Sequence, residues 1–387
     1  MSPTSDTLQF LRRLYTQQRT MQLSAAETER LQHAAGQGDP LAQYGYGRWL
    51  YFAVTHDGAT QEAEQLFFAV KEKVADSLAV YSQMLRYGET SVTHPAVMDL
   101  ARSEELLDQA IGMGSELAAT MKARHCIFGN FCTADPQAAI ESIHHRLASD
   151  SHPDPLWHCL LGHAYEELGQ RDMAIVQYEQ AIRLGEPEAY GHLATLYLQR
   201  GNTALYEEYM EEGIKKGNTL CLLYQADTDD DLYDALPPEE QRQLHLAVDS
   251  RLERGLRLCD GACAYYLWLH HFYGTLGFAR DESKAFAYLQ RGVQLGHTAC
   301  IMQMASSAAD GDLPPAMALS PLAIDELRLR AARYNPGDDD LLRDLQAASD
   351  PAFLLKHKAE LERYWYPLMA ERLADIDVDD GRYDAYV

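Results

Sequence analysis

Apolar residues recur along most of the chain at the three- and four-residue spacing of a helix with one buried face. The stretch 172–182 shows the pattern, since Ala174, Tyr178, Ala181 and Ile182 all fall on one side of a helix. A half-buried strand would instead alternate apolar and polar residues, and that alternation is missing throughout the sequence. The pattern therefore predicts an all-α protein.

One short phrase recurs between the predicted helices: a small residue, three others, Gly, three others, and a second small residue. We expect the first small residue in the last turn of one helix, the Gly as a left-handed stop, and the second small residue in the first turn of the next helix. Small side chains at both places let the two helices approach closely. The copies, the last of which has Cys in place of the central Gly, are Ala34-Gly38-Ala42, Ala110-Gly114-Ala118, Ala181-Gly185-Ala189, Gly213-Gly217-Cys221, Gly292-Gly296-Cys300 and Gly255-Cys259-Cys263.

The spacing of this phrase predicts a repeat architecture. With weaker copies placed at Val74 and Ser151, the intervals run from 32 residues (Gly185 to Gly217) to 42 residues (Gly217 to Cys259). A period in the mid-thirties with two helices per unit is typical of an α-solenoid. We therefore expect stacked antiparallel helix pairs over residues 28–311, preceded by an N-terminal helix or cap in residues 1–27.

Two segments resemble known repeat families. Residues 155–187 resemble a tetratricopeptide repeat, and residues 263–296 resemble its relative with a longer loop, the Sel1-like repeat. The matching residues are Leu161-Gly162, Tyr165, Gly169, Ala174, Tyr178, Ala181 and Pro187 in the first segment, and Tyr273-Gly274, Gly277, Asp281, Lys284-Ala285, Tyr288, Gly292 and Gly296 in the second. The resemblance implies an α-solenoid, and Sel1-like proteins in bacteria generally act as adaptors and scaffolds, with a few in secretion or toxin-neutralising systems.

Two stretches depart from the repeat rhythm. Residues 226–231 are rich in Asp and make a poor helix interior, and Pro237-Pro238 then starts a new helix, so we expect the array to be interrupted or kinked at 226–238. Further prolines break the rhythm after residue 311. We interpret residues 312–387 as a C-terminal helical cap with an acidic tail, because the end of a solenoid must cover its apolar face.

The charge of the chain narrows the choice of partner. The sequence has 33 Lys and Arg against 58 Asp and Glu, which gives a net charge of −25. Such a surface repels phosphates, so we expect no nucleic acid and no membrane partner, and we favour a protein or peptide with a basic patch. No secretory signal or transmembrane stretch is apparent, and an odd count of seven Cys fits a reducing compartment, so we expect a cytoplasmic protein.

Motifs for catalysis or metal binding are weak. Residues 375–381 alternate carboxylates before a Gly, but the Gly stands at position 7 of a calcium loop instead of position 6, so we interpret the segment as a solvated acidic tail. Cys259, Cys263, His270 and His271 have the spacing of some zinc ligands, but adjacent His residues on one helix point apart. No nucleophile elbow, phosphate loop or metalloprotease motif occurs.

The sequence therefore predicts no catalytic residue, no metal and no cofactor. We expect a non-enzymatic protein, and a metal-dependent hydrolase that uses the His and Asp clusters is the enzymatic alternative.

The first helix of each unit is expected to line the inner, concave side of the solenoid. Positions counted from the Gly anchors place there a mixture of Tyr, Arg and acidic side chains, which is typical of peptide- and protein-binding surfaces. The predicted partner-binding residues are Arg48, Tyr51, Arg124, Phe128, His163, Glu166, Glu167, Gln199 and Tyr273. We expect a scaffold or adaptor that binds a peptide or protein on this side. The alternative is a cytoplasmic immunity or chaperone-like protein that neutralises one toxin or secreted effector.

Overall fold

The structure, a computed structural model, describes residues 25–53, 58–89, 98–129, 131–149 and 154–373. Most of the predicted N-terminal cap and the acidic segment 375–381 lie outside these ranges, so both stay predictions. The described residues are predominantly helical and contain no strand, which confirms the all-α prediction.

The helices follow one another with short connections over most of the described chain. In chain order they are α1 (Ala25–Gly36), α2 (Pro40–Ala53), α3 (Ala59–Val70), α4 (Ala75–Arg86), α5 (Leu100–Gly112), α6 (Glu116–Phe128), α7 (Pro136–Ser149), α8 (Leu156–Glu167), α9 (Arg171–Arg183), α10 (Ala189–Gln199), α11 (Thr203–Lys216), α12 (Thr219–Leu222), α13 (Asp230–Asp234), α14 (Pro238–Arg257), α15 (Gly261–Tyr273), α16 (Glu282–Gln294), α17 (Thr298–Asp310), α18 (Pro321–Tyr334), α19 (Asp339–Gln346), α20 (Pro351–Glu360) and α21 (Tyr366–Arg372). A 3₁₀ turn spans Pro315–Met317, and a π-helical turn at Leu361–Trp365 joins α20 to α21.

Consecutive helices pack as antiparallel pairs, and the pairs stack. The main pairs are α2 with α3, α4 with α5, α6 with α7, α8 with α9, α10 with α11, and α15 with α16. First helices of successive pairs also touch each other, as α4 does with α6 and α6 with α8. This arrangement confirms the predicted solenoid. We call the surface formed by α2, α4, α6, α8, α10 and α15 the first-helix face.

The five central glycines of the recurring phrase all adopt the left-handed backbone that the sequence predicts. Their φ angles lie between 76° and 97° at Gly38, Gly114, Gly185, Gly217 and Gly296. This conformation penalises residues with a Cβ. The degenerate copy has a non-glycine residue with φ 61° at Cys259. The weak copy at Val74 differs, because Val74 is extended (φ −127°) and caps the N-terminus of α4; Ser151 lies outside the described residues.

The two small residues of each phrase meet across the turn. A Cβ placed on Gly213 would lie 2.3 Å from the sulfur of Cys221. The corresponding distance is 2.1 Å from Gly255 to the Cys263 sulfur, and 2.2 Å from Gly292 to the Cys300 sulfur. The three remaining copies carry Ala at both positions. Each turn therefore holds either an Ala–Ala pair or a Gly–Cys pair, and the absent Cβ of the Gly makes room for the sulfur.

Helix α12 has only four residues, because the sequence behind it cannot continue a helix. The chain turns after Leu222 and enters α13, whose N-terminus is capped by Asp229 through the amides of Asp231 and Leu232. Pro238 is the first residue of the 20-residue α14. The Asp-rich segment therefore starts a short helix, because an Asp side chain before the first turn accepts hydrogen bonds from backbone amides. It does not continue the long first helix that the repeat spacing would place here, because Asp disfavours a helix interior.

The chain divides between Cys300 and Ile301 into two compact units; the predicted limits of the array and cap stay predictions. Within the second unit, α18 packs on α19 and α20, and α19 packs on α21. Its interior holds a buried ion pair, in which Nε and Nη2 of Arg333 donate to the Glu360 carboxylate at 2.8 and 2.5 Å. Trp365, fully buried in the π-helical turn, donates to the same carboxylate at 3.1 Å.

The Gly–Cys pairs predict an energetic coupling. We expect Gly255→Ala to lower the free energy of unfolding by about 1–3 kcal/mol through overpacking. Cys263→Ala in the same chain removes the obstructing sulfur and creates the Ala–Ala pair of the other copies, so the double variant should recover most of the loss. Urea denaturation of the four proteins measures this cycle.

Gly112→Ala is the matched control, because nothing lies within 4 Å of a Cβ at that helical position and its φ is not left-handed. We expect it to leave stability unchanged or slightly higher. Additive losses in the Gly255 and Cys263 cycle would show that the two side chains do not compete for the same space.

The buried ion pair predicts a pH dependence of stability. Burial alone raises the pKa of Glu360, but His357 and Arg333 outweigh it and hold the pKa at about 2, below the ordinary 4.5. The stabilisation is therefore complete above pH 4.5 and is lost as pH falls toward 2, and it amounts to about 3 kcal/mol. The difference in free energy of unfolding between the wild type and Glu360→Gln should become smaller as the pH is lowered from 6 to 3, measured by urea denaturation at each pH. Glu362→Gln, an exposed neighbour, controls for net charge, and a gap for Glu360→Gln that stays constant over this range would contradict the assignment.

Candidate functional site

All the sequence-predicted site residues lie on first helices. Arg48 and Tyr51 lie on α2, Arg124 and Phe128 on α6, His163, Glu166 and Glu167 on α8, Gln199 on α10, and Tyr273 on α15. They differ in exposure, and this difference separates side chains that can meet a partner from those that hold the helices together.

Four of these residues are exposed at the ends of first helices. Phe128, Gln199 and Tyr273 are each the last residue of their helix, and Glu167 is the last residue of α8. Phe128 is 47% exposed and Tyr273 is 62% exposed, which is unusual for large aromatic side chains. The last residue of the first helix is therefore exposed to solvent in four of the helix pairs.

Three other predicted residues are engaged inside the protein. Arg48 is buried, with 5% of its surface exposed. The Tyr51 hydroxyl donates to Glu89 at 2.5 Å. Arg124 donates to both carboxylate oxygens of Glu188, at 2.9 and 3.2 Å, and so ties α6 to the residue before α10. Arg48 therefore has little surface left for a partner, whereas Tyr51 and Arg124 are partly exposed but are held by carboxylates of the protein itself.

The remaining two, His163 and Glu166, belong to a cluster of polar side chains between α8, α9 and α10. We call Cys159, His163, Glu166, Tyr178 and His192 the central cluster. The His163 ring lies with Nε2 3.6 Å from the Cys159 sulfur and Nδ1 3.3 Å from the Tyr178 hydroxyl. The Tyr178 hydroxyl donates a hydrogen bond to the Glu166 carboxylate. The His192 ring lies 4.4 Å from that of His163 and stacks on Tyr178 at 5.6 Å.

The repeat itself places Tyr178 at the middle of this cluster. Gly162 on α8 faces the Tyr178 ring, and a Cβ at Gly162 would lie 2.3 Å from a ring carbon. The absent side chain lets α9 bring the whole phenol under α8, with the ring fully buried and the hydroxyl among the polar groups. The edge of the His163 ring also contacts the exposed Phe128 at 5.6 Å, so the cluster adjoins the first-helix face.

Burial sets the protonation behaviour of the cluster. It raises the pKa of Glu166, and the hydrogen bond from Tyr178 offsets part of that rise. Burial, together with the Glu166 carboxylate, also raises the pKa of Tyr178. The phenol therefore stays protonated at neutral pH and acts as a hydrogen-bond donor.

The sequence predicted two members of this cluster, His163 and Glu166, as partner-binding residues. It did not predict that Cys159, Tyr178 and His192 lie beside them. Cys159, His163 and Glu166 stand three and four apart on α8 and could have been grouped by helical spacing. His192 and Tyr178 come from other helices, and nothing in the sequence joins them to α8 except the repeat register.

The other sequence-level candidate set lies in α15 and the turn before it. His270 Nδ1 lies 2.7 Å from the Thr275 hydroxyl, and His271 Nδ1 lies 3.1 Å from the Ala279 carbonyl, so each ring braces the loop after α15. Burial lowers the pKa of His270 to about 4. Cys263 faces Gly255 in the turn pair described above. These residues therefore serve helix and loop packing.

No helix in the described part of the chain has both the length and the apolar character needed to cross a bilayer.

The chain is similar to known repeat proteins. Residues 158–184 match the tetratricopeptide repeat family, which confirms the resemblance of the segment 155–187. None of the curated proteins matches the chain in sequence.

Among solved structures, c5321, a protective antigen of uropathogenic Escherichia coli with an SLR fold, is 15% identical, with 96% of this chain and 86% of that chain covered and a TM-score of 0.33. A Sel1 repeat protein from Oxalobacter formigenes is 17% identical, with 90% and 95% covered and a TM-score of 0.39. A human IFIT1 dimer with PPP-AAAA is 13% identical, with 91% and 70% covered and a TM-score of 0.38. Likeness at this level carries no conclusion about a ligand or partner.

The helix pairs, the left-handed glycine stops and the matched segment agree with one another. The chain is an α-solenoid of stacked antiparallel helix pairs, and its residues 158–184 match the tetratricopeptide repeat.

Proposed function

We propose that the protein is a non-enzymatic scaffold that binds a peptide or protein segment on the first-helix face. Repeat folds of this type generally mediate protein–protein interaction. The observation that carries the proposal is the exposure of Phe128 and Tyr273 at the same structural position of α6 and α15.

Exposed aromatic side chains at recurring positions suit the recognition of an extended or helical segment. Aromatic residues supply much of the binding energy of interfaces, because their large rigid surfaces are buried at little entropic cost. Each ring keeps a large part of its surface open to solvent, since 47% of Phe128 and 62% of Tyr273 is exposed. Gln199, exposed at the equivalent position of α10, adds hydrogen-bonding capacity between them.

Charge favours a basic partner. The chain carries a net charge of −25, which accelerates the encounter with a positively charged segment. On the first-helix face, Glu167 is exposed, whereas Arg124 is neutralised by Glu188. Of the charged residues in the predicted site, the one open to solvent is therefore acidic, Glu167. A basic toxin or effector held by a dedicated immunity protein is a narrower form of the same interaction.

Removal of the two aromatic side chains should weaken partner binding. We expect Phe128→Ala/Tyr273→Ala to lower the affinity roughly ten- to a hundredfold, since truncation of a contributing interface side chain costs about 1 kcal/mol and two are removed. A protein captured on the wild-type chain from the producing cells and then purified is titrated against each variant by calorimetry.

The matched control is Val176→Ala/Leu246→Ala, which removes two similarly exposed apolar side chains from second helices. It should bind as the wild type does. Equal affinities for both double variants would remove the first-helix face from consideration.

Charge reversal tests the electrostatic part of the proposal. Glu167→Lys should reduce affinity by about tenfold at low salt and flatten the salt dependence, because exposed charges are screened over about 8–10 Å at physiological ionic strength. Glu208→Lys on the second helix α11 changes the net charge by the same amount at an exposed site. If the two reversals have equal effects, the charge acts through the whole molecule and does not mark the binding face.

A further inference from the structure

The central cluster brings together three side chains that are ligands of metal ions in other proteins. His163, Glu166 and His192 each direct one ligand atom so that all three atoms lie within 4.8 Å of one another. Two imidazoles and a carboxylate are the donor set of many zinc sites and of other divalent transition-metal sites. His163 and Glu166 stand three apart on α8, which places them side by side, and His192 enters from the neighbouring first helix α10.

We propose that His163, Glu166 and His192 form a binding site for a divalent transition-metal ion of the zinc type. The site goes beyond the proposed scaffold function and does not depend on a protein partner. A tetrahedral zinc with bonds of about 2.0–2.1 Å holds its ligand atoms about 3.4 Å apart. Metal binding therefore needs a contraction of about an ångström, within reach of the rotamers of Glu166 and His192, which are both partly exposed.

Tyr178 touches all three proposed ligands. Its hydroxyl donates to Glu166 and lies 3.3 Å from His163 Nδ1, and its ring stacks on His192 with a 16° angle between the planes. Hydrogen bonds of this kind orient metal ligands, and their removal typically costs 10–100-fold in affinity. Tyr178 is thus a positioning residue. Its ring is fully buried, so it is held in place and restricts the orientation of the three ligand side chains.

The second ring nitrogen of His163 also has a suitable neighbour. When Nδ1 is free of its proton and binds the metal, Nε2–H points at the Cys159 sulfur, 3.6 Å away. A metal-bound imidazole usually makes such a contact with its other nitrogen, which fixes the tautomer and the ring plane. Cys159 therefore belongs to the surroundings of the site.

A competing donor set shares His163 but is less suited to a metal. Cys159, His163 and Glu188 also have ligand atoms within 4.8 Å of one another. Both oxygens of the Glu188 carboxylate already accept a hydrogen bond from Nη2 of Arg124. Binding through this set would separate that pair and ionise a fully buried thiol. The set with Glu166 and His192 requires neither change.

Three protein donors leave the fourth position of a tetrahedral ion for water or for a donor side chain brought by another molecule. The exposed Phe128 ring lies in edge-to-face contact with the His163 ring, so the proposed ligand His163 adjoins the first-helix face. A His or carboxylate side chain of a bound peptide has the chemistry to fill the fourth position.

The test uses the full chain, freed of metal by a chelator and titrated with Zn²⁺ and with Co²⁺. We expect one equivalent to bind by calorimetry, a rise in melting temperature with added Zn²⁺, and visible cobalt absorption of a four-coordinate nitrogen and oxygen site. Glu166→Gln and His192→Ala should abolish the one-to-one binding and the metal-dependent rise in melting temperature. Tyr178→Phe should weaken binding by about tenfold.

The matched control is His145→Ala, an exposed histidine on α7 outside the cluster, which should bind metal as the wild type does. Glu166→Gln keeps an acceptor for Tyr178 and a similar shape, so its metal-free melting temperature reports whether the fold survives. Binding that is absent, that exceeds one equivalent without saturation, or that persists in both ligand variants would overturn the site. A sulfur-to-cobalt charge-transfer band lost in Cys159→Ala would overturn the ligand assignment in favour of the competing set.

Discussion

Close approach of neighbouring helices, made possible where a side chain is missing, is the constraint on which the rest of this structure depends. At Gly213, Gly255 and Gly292 the space of an absent Cβ is filled by a cysteine sulfur from the next helix. At Gly162 it is filled by the Tyr178 ring. The Gly–Cys contacts hold the turns between units. The contact of Gly162 with Tyr178 holds together the two helices of the segment that matches the tetratricopeptide repeat. The polar cluster exists because the same packing that buries the phenol ring carries its hydroxyl between α8 and α10.

Arginine side chains link the helices that this packing brings together. Arg124 joins α6 to Glu188, Arg146 on α7 pairs with Glu116, and Arg333 is buried against Glu360. In Arg146 and Arg333 the planar guanidinium donates through two nitrogens, Nε and Nη2, which suits a carboxylate held on another helix. Cationic groups are thus drawn into structural pairs, while carboxylates such as Glu167 stay exposed. Each pair neutralises one positive and one negative charge, so the charges that stay unpaired keep the whole negative excess of the chain.

Local sequence patterns were enough to predict most of the fold. Most of the candidate site depends on contacts between helices that are distant in the sequence, and these could not be predicted. The left-handed stops at Gly185 and Gly217 could be predicted from a phrase of nine residues. A Gly between two helical stretches commonly ends the first helix in the left-handed conformation, because it has no Cβ. The exposed ends of α6 and α15 follow from counting along the repeat. The burial of Arg48 depends on the helices that pack against α2, and the engagement of Arg124 depends on Glu188, which lies 64 residues further along the chain. His192 and Tyr178 were missed for the same reason: the sequence shows the helical face on which a residue lies but not what meets that face.

The shortness of α12 affects how the array opens. Buried apolar side chains before it form clusters over 31–118 and 119–196, and those after it form a cluster over 222–278. Beside α12 itself, the buried apolar cluster is small, with Ala194, Met210 and Cys221, and partly buried side chains such as Tyr190 and Tyr209 pack around it. A linear array couples only neighbouring units, so the few buried residues at this point weaken the coupling along the array. Amide hydrogen exchange would then separate into two sets with different opening free energies, one on each side of α12. One end of the first-helix face could loosen around an incoming chain while the other end keeps its order.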